Sequence, residues 1–164
     1  MMNENSFCRY EDELYQSNEP VEPSKQYVIF KISNEWYGIN IRYVMEVVLN
    51  VDITILPHVP EHILGIINLR GNIISITDLH SLLNINKSKE YANKRVIIVS
   101  YDEISTAIIN SGYEENVDIP NSQIKDVIGT LNVDQDYIIE GQVKWEGKLI
   151  GILSAEKVIQ MTKL

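Results

Sequence analysis

The polar and apolar pattern divides the chain near Lys25. Residues 1–24 show no apolar period: Glu4, Glu11, Asp12, Glu13, Glu19 and Glu22 stand against Arg9, with Pro20 and Pro23. Such a stretch buries too little apolar surface to offset the entropy of ordering it, and it reads as a disordered acidic leader. From Gln26 the pattern changes. Tyr27, Ile29 and Lys31 alternate with Val28, Phe30 and Ile32, a period of two that predicts a strand. Ser33-Asn34-Glu35 predicts a turn, and Trp36 to Ile41 a second strand. Over Ile41 to Leu49 two readings stay open. Val44, Val47 and Val48 fit a helical turn, and the β-branched content fits a strand.

The sharpest local signal is Gly65 to Thr77. Ile66, Asn68 and Arg70 fall on one strand face, Ile67 and Leu69 on the other. Gly71-Asn72 reads as a two-residue hairpin loop, and Ile73 to Thr77 as the returning strand. Asp78 then caps a short helix, Leu79 to Leu83, because a carboxylate accepts the free amides of a first turn.

This unit recurs. Moved 76 positions along, Ile63–Leu83 lands on Ile139–Ile159 without a gap. Gly65 meets Gly141, Gly71 meets Gly147, Leu69 meets Trp145, and Ile74 and Ile76 meet Ile150 and Ile152. Upstream, Arg95 to Ser100 resembles the first strand, and Val44–Val48 matches Ile124–Ile128 at a shift of 80. The body is therefore two copies of one strand-rich unit, about 25–92 and 93–164. The recurring turn glycines supply positive φ at little cost. Many short strands with regular turns predict small barrels or sandwiches, with the short helices plugging barrel ends or the seam. The second copy is less regular. Ile104–Asn110 predicts a strand, and Ser111–Asp118, with Glu114 and Glu115, an enlarged acidic loop. Pro120 lacks an amide donor and belongs at a sheet edge or a bulge.

Length and composition fit one domain, or two small ones sharing a core. The chain has 164 residues, of which 45% are hydrophobic and 23% charged, as in soluble globular proteins. No apolar run approaches the ~20 residues of a membrane span, so no direct membrane insertion is expected. The polar start shows no secretory signal. The single Cys8 forms no internal disulfide and fits a reducing cytosol as an idle thiol. Without an export signal, the sequon Asn86-Lys87-Ser88 carries no weight. A cytoplasmic location follows as the expectation. The net charge of −9 opposes phosphate backbones and anionic lipid, which disfavours nucleic acid and an oligonucleotide-binding barrel and favours a protein partner.

Catalytic and metal chemistry find little support. His58 and His62 are four apart, but Pro57 and Pro60 break any helix there and no ligand set is completed, so no metal is expected. Phosphate-binding and dinucleotide loops are missing from the sequence, and no serine sits in a G-x-S-x-G elbow, so neither a cofactor nor an enzyme is expected. Asp78 meets Ser154 in the repeat, and both residue types cap helices. Two charges stand out instead: Arg70 beside the hairpin glycine, and Glu46 between Val44 and Val47. Exposed Arg and Glu are ordinary. Yet Arg70 meets Glu146 in the repeat, and opposite charge at matched positions is what specialised interaction surfaces produce.

Gly65-Ile66-Ile67-Asn68-Leu69-Arg70-Gly71, followed by Ile73-Ile74 and Thr77-Asp78-Leu79, resembles the signature hairpin of CheW-type chemotaxis coupling proteins. Gln26 to Phe30, Tyr37-Gly38-Ile39, Ile41, Val44, Glu46 and Val47 resemble that family's opening, and Ile138 to Leu153 its closing hairpin. The resemblance covers about 25–160. It implies a mainly β fold of two intertwined five-stranded Src-homology-3-like barrels with short helices around a common core. It also implies a non-catalytic adaptor for two partners: the cytoplasmic tip of a methyl-accepting chemoreceptor and the regulatory domain of a CheA-type histidine kinase. Positions matching family residues of receptor coupling are Val44, Glu46, Gly65 and Arg70, with a salt bridge between Glu46 and Arg70 beside an apolar groove. The kinase-binding residues are left unspecified. The stretch Asp118 to Gln123 departs from the family pattern, which keeps open a divergent adaptor or docking module of a non-chemotactic pathway.

Overall fold

The structure, a computed structural model, describes residues 21–86, 95–112, 114–127 and 137–163. Most of the predicted leader and the segment holding Lys87-Ser88 lie outside the described residues. The described chain runs β1 (Ser24–Ile32), β2 (Glu35–Asn40), a 3-10 turn (Ile41–Tyr43), β3 (Val44–Val48), β4 (Ile63–Leu69), β5 (Asn72–Thr77) and α1 (Leu79–Leu82). It continues with β6 (Arg95–Tyr101), β7 (Ile104–Asn110), β8 (Glu114–Pro120), a 3-10 turn (Asn121–Gln123), β9 (Ile139–Trp145), β10 (Lys148–Leu153) and α2 (Ala155–Met161). Ile41–Leu49 thus contains both elements proposed for it, a tight turn and then a strand.

The strands form two five-stranded sheets, β8-β1-β2-β10-β9 and β3-β6-β7-β5-β4. The two orders are the same once β1–β5 are matched with β6–β10. Each sheet takes two strands from one copy and three from the other, so the copies interlock rather than sit side by side. Two pairs join the copies in each sheet: parallel β2–β10 and antiparallel β1–β8 in one, parallel β5–β7 and antiparallel β3–β6 in the other. The remaining neighbours are antiparallel.

Three apolar clusters follow from the alternation. Val51, Ile67, Ile76, Val96, Ile98 and Ile109 fill the concave side of one sheet. Tyr27, Ile29, Val117, Ile119, Ile150 and Ile152 fill the other. Between them lies the largest cluster, with Phe30, Ile32, Ile39, Ile97, Ile108 and Leu153 meeting Leu79, Leu83, Val158 and Ile159 from the helices. The helices therefore plug the seam. Both caps are as expected: the Asp78 carboxylate accepts from the His80 amide, and the Ser154 hydroxyl from the Lys157 amide.

Four readings need correction. Leu69 pairs with Asn72, so the hairpin loop is Arg70-Gly71 rather than Gly71-Asn72. Its φ values of 53° and 89° are left-handed at both positions, as type I′ hairpins need. The matched loop Glu146-Gly147 has 47° and 77°. Second, the expected acidic loop at 111–118 is strand from Glu114 onward. Val117 and Ile119 are buried while Glu115, Asn116 and Asp118 are exposed. Among the described residues β8 pairs only with β1, so Pro120 ends an edge strand. Third, Ser24 already pairs with Pro120, and Pro23 accepts from the Asn121 amide at 3.0 Å, so ordered backbone begins before Lys25. Fourth, the shift-80 match of Val44–Val48 with Ile124–Ile128, whose last residue lies outside the described ones, is local: a 3-10 turn precedes both Val44 and Ile124, but the sheet pairing differs. Thr54 bridges Ile66, and Lys125 bridges Gln142, the repeat mate of Ile66. Lys125 thus holds the place of Thr54, and β3 corresponds to β8.

Candidate functional site

Glu46 and Arg70 start from opposite edges of one sheet. Glu46 is on β3, and Arg70 opens the β4–β5 turn. The sheet curls until the two meet: Arg70 Nη1 donates to Glu46 Oε1 at 2.7 Å and Nη2 to Oε2 at 2.9 Å. This bidentate fork is the strong geometry for Arg and carboxylate. The Arg70 side chain remains 75% exposed, so part of the guanidinium is open to a partner. The turn is braced from below, since the Gly71 amide donates to Asn68 Oδ1 at 2.8 Å.

A bulge decides which way Glu46 points. Val44 pairs with Val99 and Glu46 with Ile98, so one strand gains a residue at Met45. Neighbouring residues on β6 face opposite sides, and Val44 and Glu46 follow them. Val44 packs against the seam core with Val99, and Glu46 turns to the side of Ile98.

The pair stands on the rim of a groove of about 400 Å³, whose walls are Met45, Leu69, Ile73, Ile98 and Ser105. All of these belong to one sheet. Met45 and Ile73 are each 63% exposed, which puts apolar surface in water beside a fixed charge. The Ser105 hydroxyl lies 3.7 Å from the Met45 sulfur. An apolar floor with a charged rim suits recognition of an amphipathic helix.

Gly65 stands apart from this groove. A Cβ there would lie 2.3 Å from the Thr54 carbonyl oxygen, and its φ is 147°. Thr54 and Ile66 exchange two backbone hydrogen bonds of 2.9 Å, which requires that approach. Of the four expected positions, Glu46 and Arg70 therefore meet, while Val44 packs against the seam core and Gly65 lies against the Thr54 backbone.

His58 and His62 lie in the connection between β3 and β4. Among the described residues no group of three His, Cys, Asp or Glu side chains comes close enough to hold a metal ion. One polar cluster escaped the sequence reading. His80 Nδ1 sits 2.8 Å from Asp78 Oδ1, and its Nε2 sits 2.9 Å from the Ser33 hydroxyl. Asp78 and His80 are buried. The Ser33 hydroxyl also donates to the Asn86 carbonyl, and the Ser33 amide donates to the Ser111 hydroxyl. The cluster pins the β1–β2 turn to α1 and to the end of β7, which makes it a clamp across the seam. No local spacing could reveal it, because Ser33 and His80 are brought together only by the fold.

Two interlocked five-stranded sheets around a shared helical seam define a docking scaffold. A family model described as a CheW-like domain matches residues 26–163, and the chain belongs to that family. It is 27% identical over 139 residues to the chemotaxis protein CheW of Bacillus subtilis, covering 85% of this chain and 89% of that one. It is also 27% identical over 135 residues to the CheW of Helicobacter pylori, covering 82% and 81%. A crystal structure of the scaffolding protein TtCheW from Thermoanaerobacter tengcongensis superimposes with a TM-score of 0.72 at 34% identity, covering 80% of this chain and 90% of that one. Membership places the chain among non-catalytic scaffold proteins. No helix among the described residues is long and apolar enough to cross a membrane.

Proposed function

We propose that this chain is a cytoplasmic chemotaxis adaptor that couples the cytoplasmic tip of a chemoreceptor to the regulatory domain of a CheA-type histidine kinase within receptor arrays. The observation that carries the reading is the Arg70–Glu46 fork on the rim of a mixed groove beside the exposed Met45 and Ile73. Those two residues stand at positions that the family resemblance links to receptor coupling. The relatives named as chemotaxis proteins and the solved scaffolding protein support the same reading.

The mechanism is assembly. A receptor helix lays its apolar side along Met45, Leu69 and Ile73, and the half-engaged guanidinium of Arg70 takes a carboxylate or carbonyl of that helix. Glu46 holds Arg70 in one rotamer, which lowers the entropy lost on binding. Charge at the rim sets register and rate more than affinity. Weak single contacts become stable when many adaptors, receptors and kinases are held in one lattice.

The test is co-assembly. The purified chain is mixed with a receptor-tip fragment and the kinase regulatory domain encoded in the same genome, and complexes are resolved by size with light scattering. A ternary complex is expected. Binding to neither partner would show that the fold serves another pathway.

A further inference from the structure

The outer side of the sheet formed by β8, β1, β2, β10 and β9 carries two adjoining hollows, of about 380 and 470 Å³, which share Gln142 and Leu149. Their apolar walls include Trp36, Tyr37 and Val127. Leu149 is 65% exposed. Their rim is cationic: Lys125 and Lys144 line the second hollow, and Lys148 Nζ lies 4.4 Å from the Trp36 ring centre. Glu35 is the acidic group in the lining, and it is engaged by the Tyr37 hydroxyl, which donates to it at 2.5 Å. Lys144 and Lys148 stand where the other half has Asn68 and Asn72, and the groove of the other sheet is rimmed by Glu46, Glu103 and Arg70, the last already paired with Glu46.

The N-terminal segment enters the fold at the margin of these hollows. The Ser122 amide donates to Glu22 Oε1 at 3.1 Å, and Ser122 itself lines the second hollow. Upstream lie Glu4, Glu11, Asp12, Glu13 and Glu19 against Arg9, interspersed with Phe7, Tyr10, Leu14 and Tyr15. Acids and aromatics in one segment complement a lysine rim and an apolar floor. Reach is no obstacle, because an extended chain spans roughly 3.3–3.6 Å per residue.

We propose that residues 1–20 dock back on this groove, with their carboxylates on Lys125, Lys144 and Lys148 and their aromatic side chains against Trp36 and Leu149. A tethered segment acts at an effective concentration near the millimolar range, so even a weak match is occupied. The docked segment covers this face of the sheet, and any partner of the face must displace it. The proposal is independent of the receptor reading, which concerns the other sheet.

Cys8 is the chain's only cysteine and lies in that segment. A nitroxide attached there in the full-length, isotope-labelled chain broadens amide signals near its resting place. Signal loss is expected at Lys125, Lys144 and Leu149. It should be reversed in Lys125→Glu/Lys144→Glu and in about 1 M salt, where charges are screened within about 3 Å. Signal dispersion of the double variant checks that its fold is kept. Broadening spread evenly over the surface, or unchanged by the charge reversal, overturns the proposal. Broadening found only when spin-labelled chains are mixed with separate isotope-labelled chains overturns it too, because the segment would then sit on a second copy.

Discussion

Arg70 and Glu46 lie on opposite edges of one five-stranded sheet and are joined by two hydrogen bonds of 2.7 and 2.9 Å. The contact exists because the sheet curls, and the curl is held from inside by Val51, Ile67, Ile76 and Ile98 rather than by the pair. With Arg70 largely in water, the ion pair contributes at most about 1 kcal/mol to folding. Arg70→Ala and Glu46→Ala are each expected to move the urea midpoint only slightly, with an unchanged slope. A loss of several kcal/mol in either variant would mean that the pair holds the sheet closed.

Gly65 gives the opposite expectation. Gly65→Ala places a Cβ against the Thr54 carbonyl in a backbone conformation that disfavours side chains, and it should cost more than about 2 kcal/mol. Gly71→Ala meets nothing within 4 Å and should cost about 1 kcal/mol from its positive φ alone. Denaturant unfolding of both variants checks the ranking. If substitution at Gly65 weakens partner binding, the account attributes the loss to displacement of the strand around Thr54.

The clamp at the seam offers a third test. His80→Ala leaves the buried Asp78 carboxylate without its ring partner, a loss of about 1–3 kcal/mol or more. Ser33→Ala removes the partly buried hydrogen bond to His80 and the exposed one to the Asn86 carbonyl and should cost about 1 kcal/mol. The double variant should be less destabilised than the sum of the two, since both act through His80 Nε2. Additive losses would show that the contact is not formed.

Glu140 on β9 has its carboxyl pushed up by partial burial, with Lys157 and Lys25 pulling in the other direction. A carboxyl whose folded pKa exceeds its unfolded pKa binds its proton more tightly in the native state. Its cost is therefore absent below the unfolded pKa and complete above the folded one. Glu140→Gln should raise stability at neutral pH, by less than about 1 kcal/mol after solvent screening, and should make no difference near pH 3. Equal effects at both pH values would contradict this assignment.

Much of this was legible along the chain. The period of two from Tyr27 to Ile32 and the repeated hairpins located most strands, because the inward residues there carry aromatic or branched aliphatic side chains. Arg70 and Glu46 were visible as charges set in apolar surroundings. The strand β8 was not, since an edge strand needs only Val117 and Ile119 inward and keeps its charges to discourage edge pairing. The hairpin loop was misplaced by one residue because Arg rarely adopts positive φ. The exchange of strands between copies, and the meeting of Ser33 with His80, depend on partners far apart in sequence and leave no periodic trace.

The central claim is that Arg70 and the groove beside it receive the receptor tip. Calorimetric titration of the receptor-tip fragment into the native chain and Arg70→Ala tests it most directly, with the kinase regulatory domain titrated into both as a control. The account predicts affinity for the tip reduced about tenfold or more, as for an interface hot spot, and affinity for the kinase domain unchanged. Equal affinity of both proteins for the tip would contradict it and place the receptor elsewhere on the molecule.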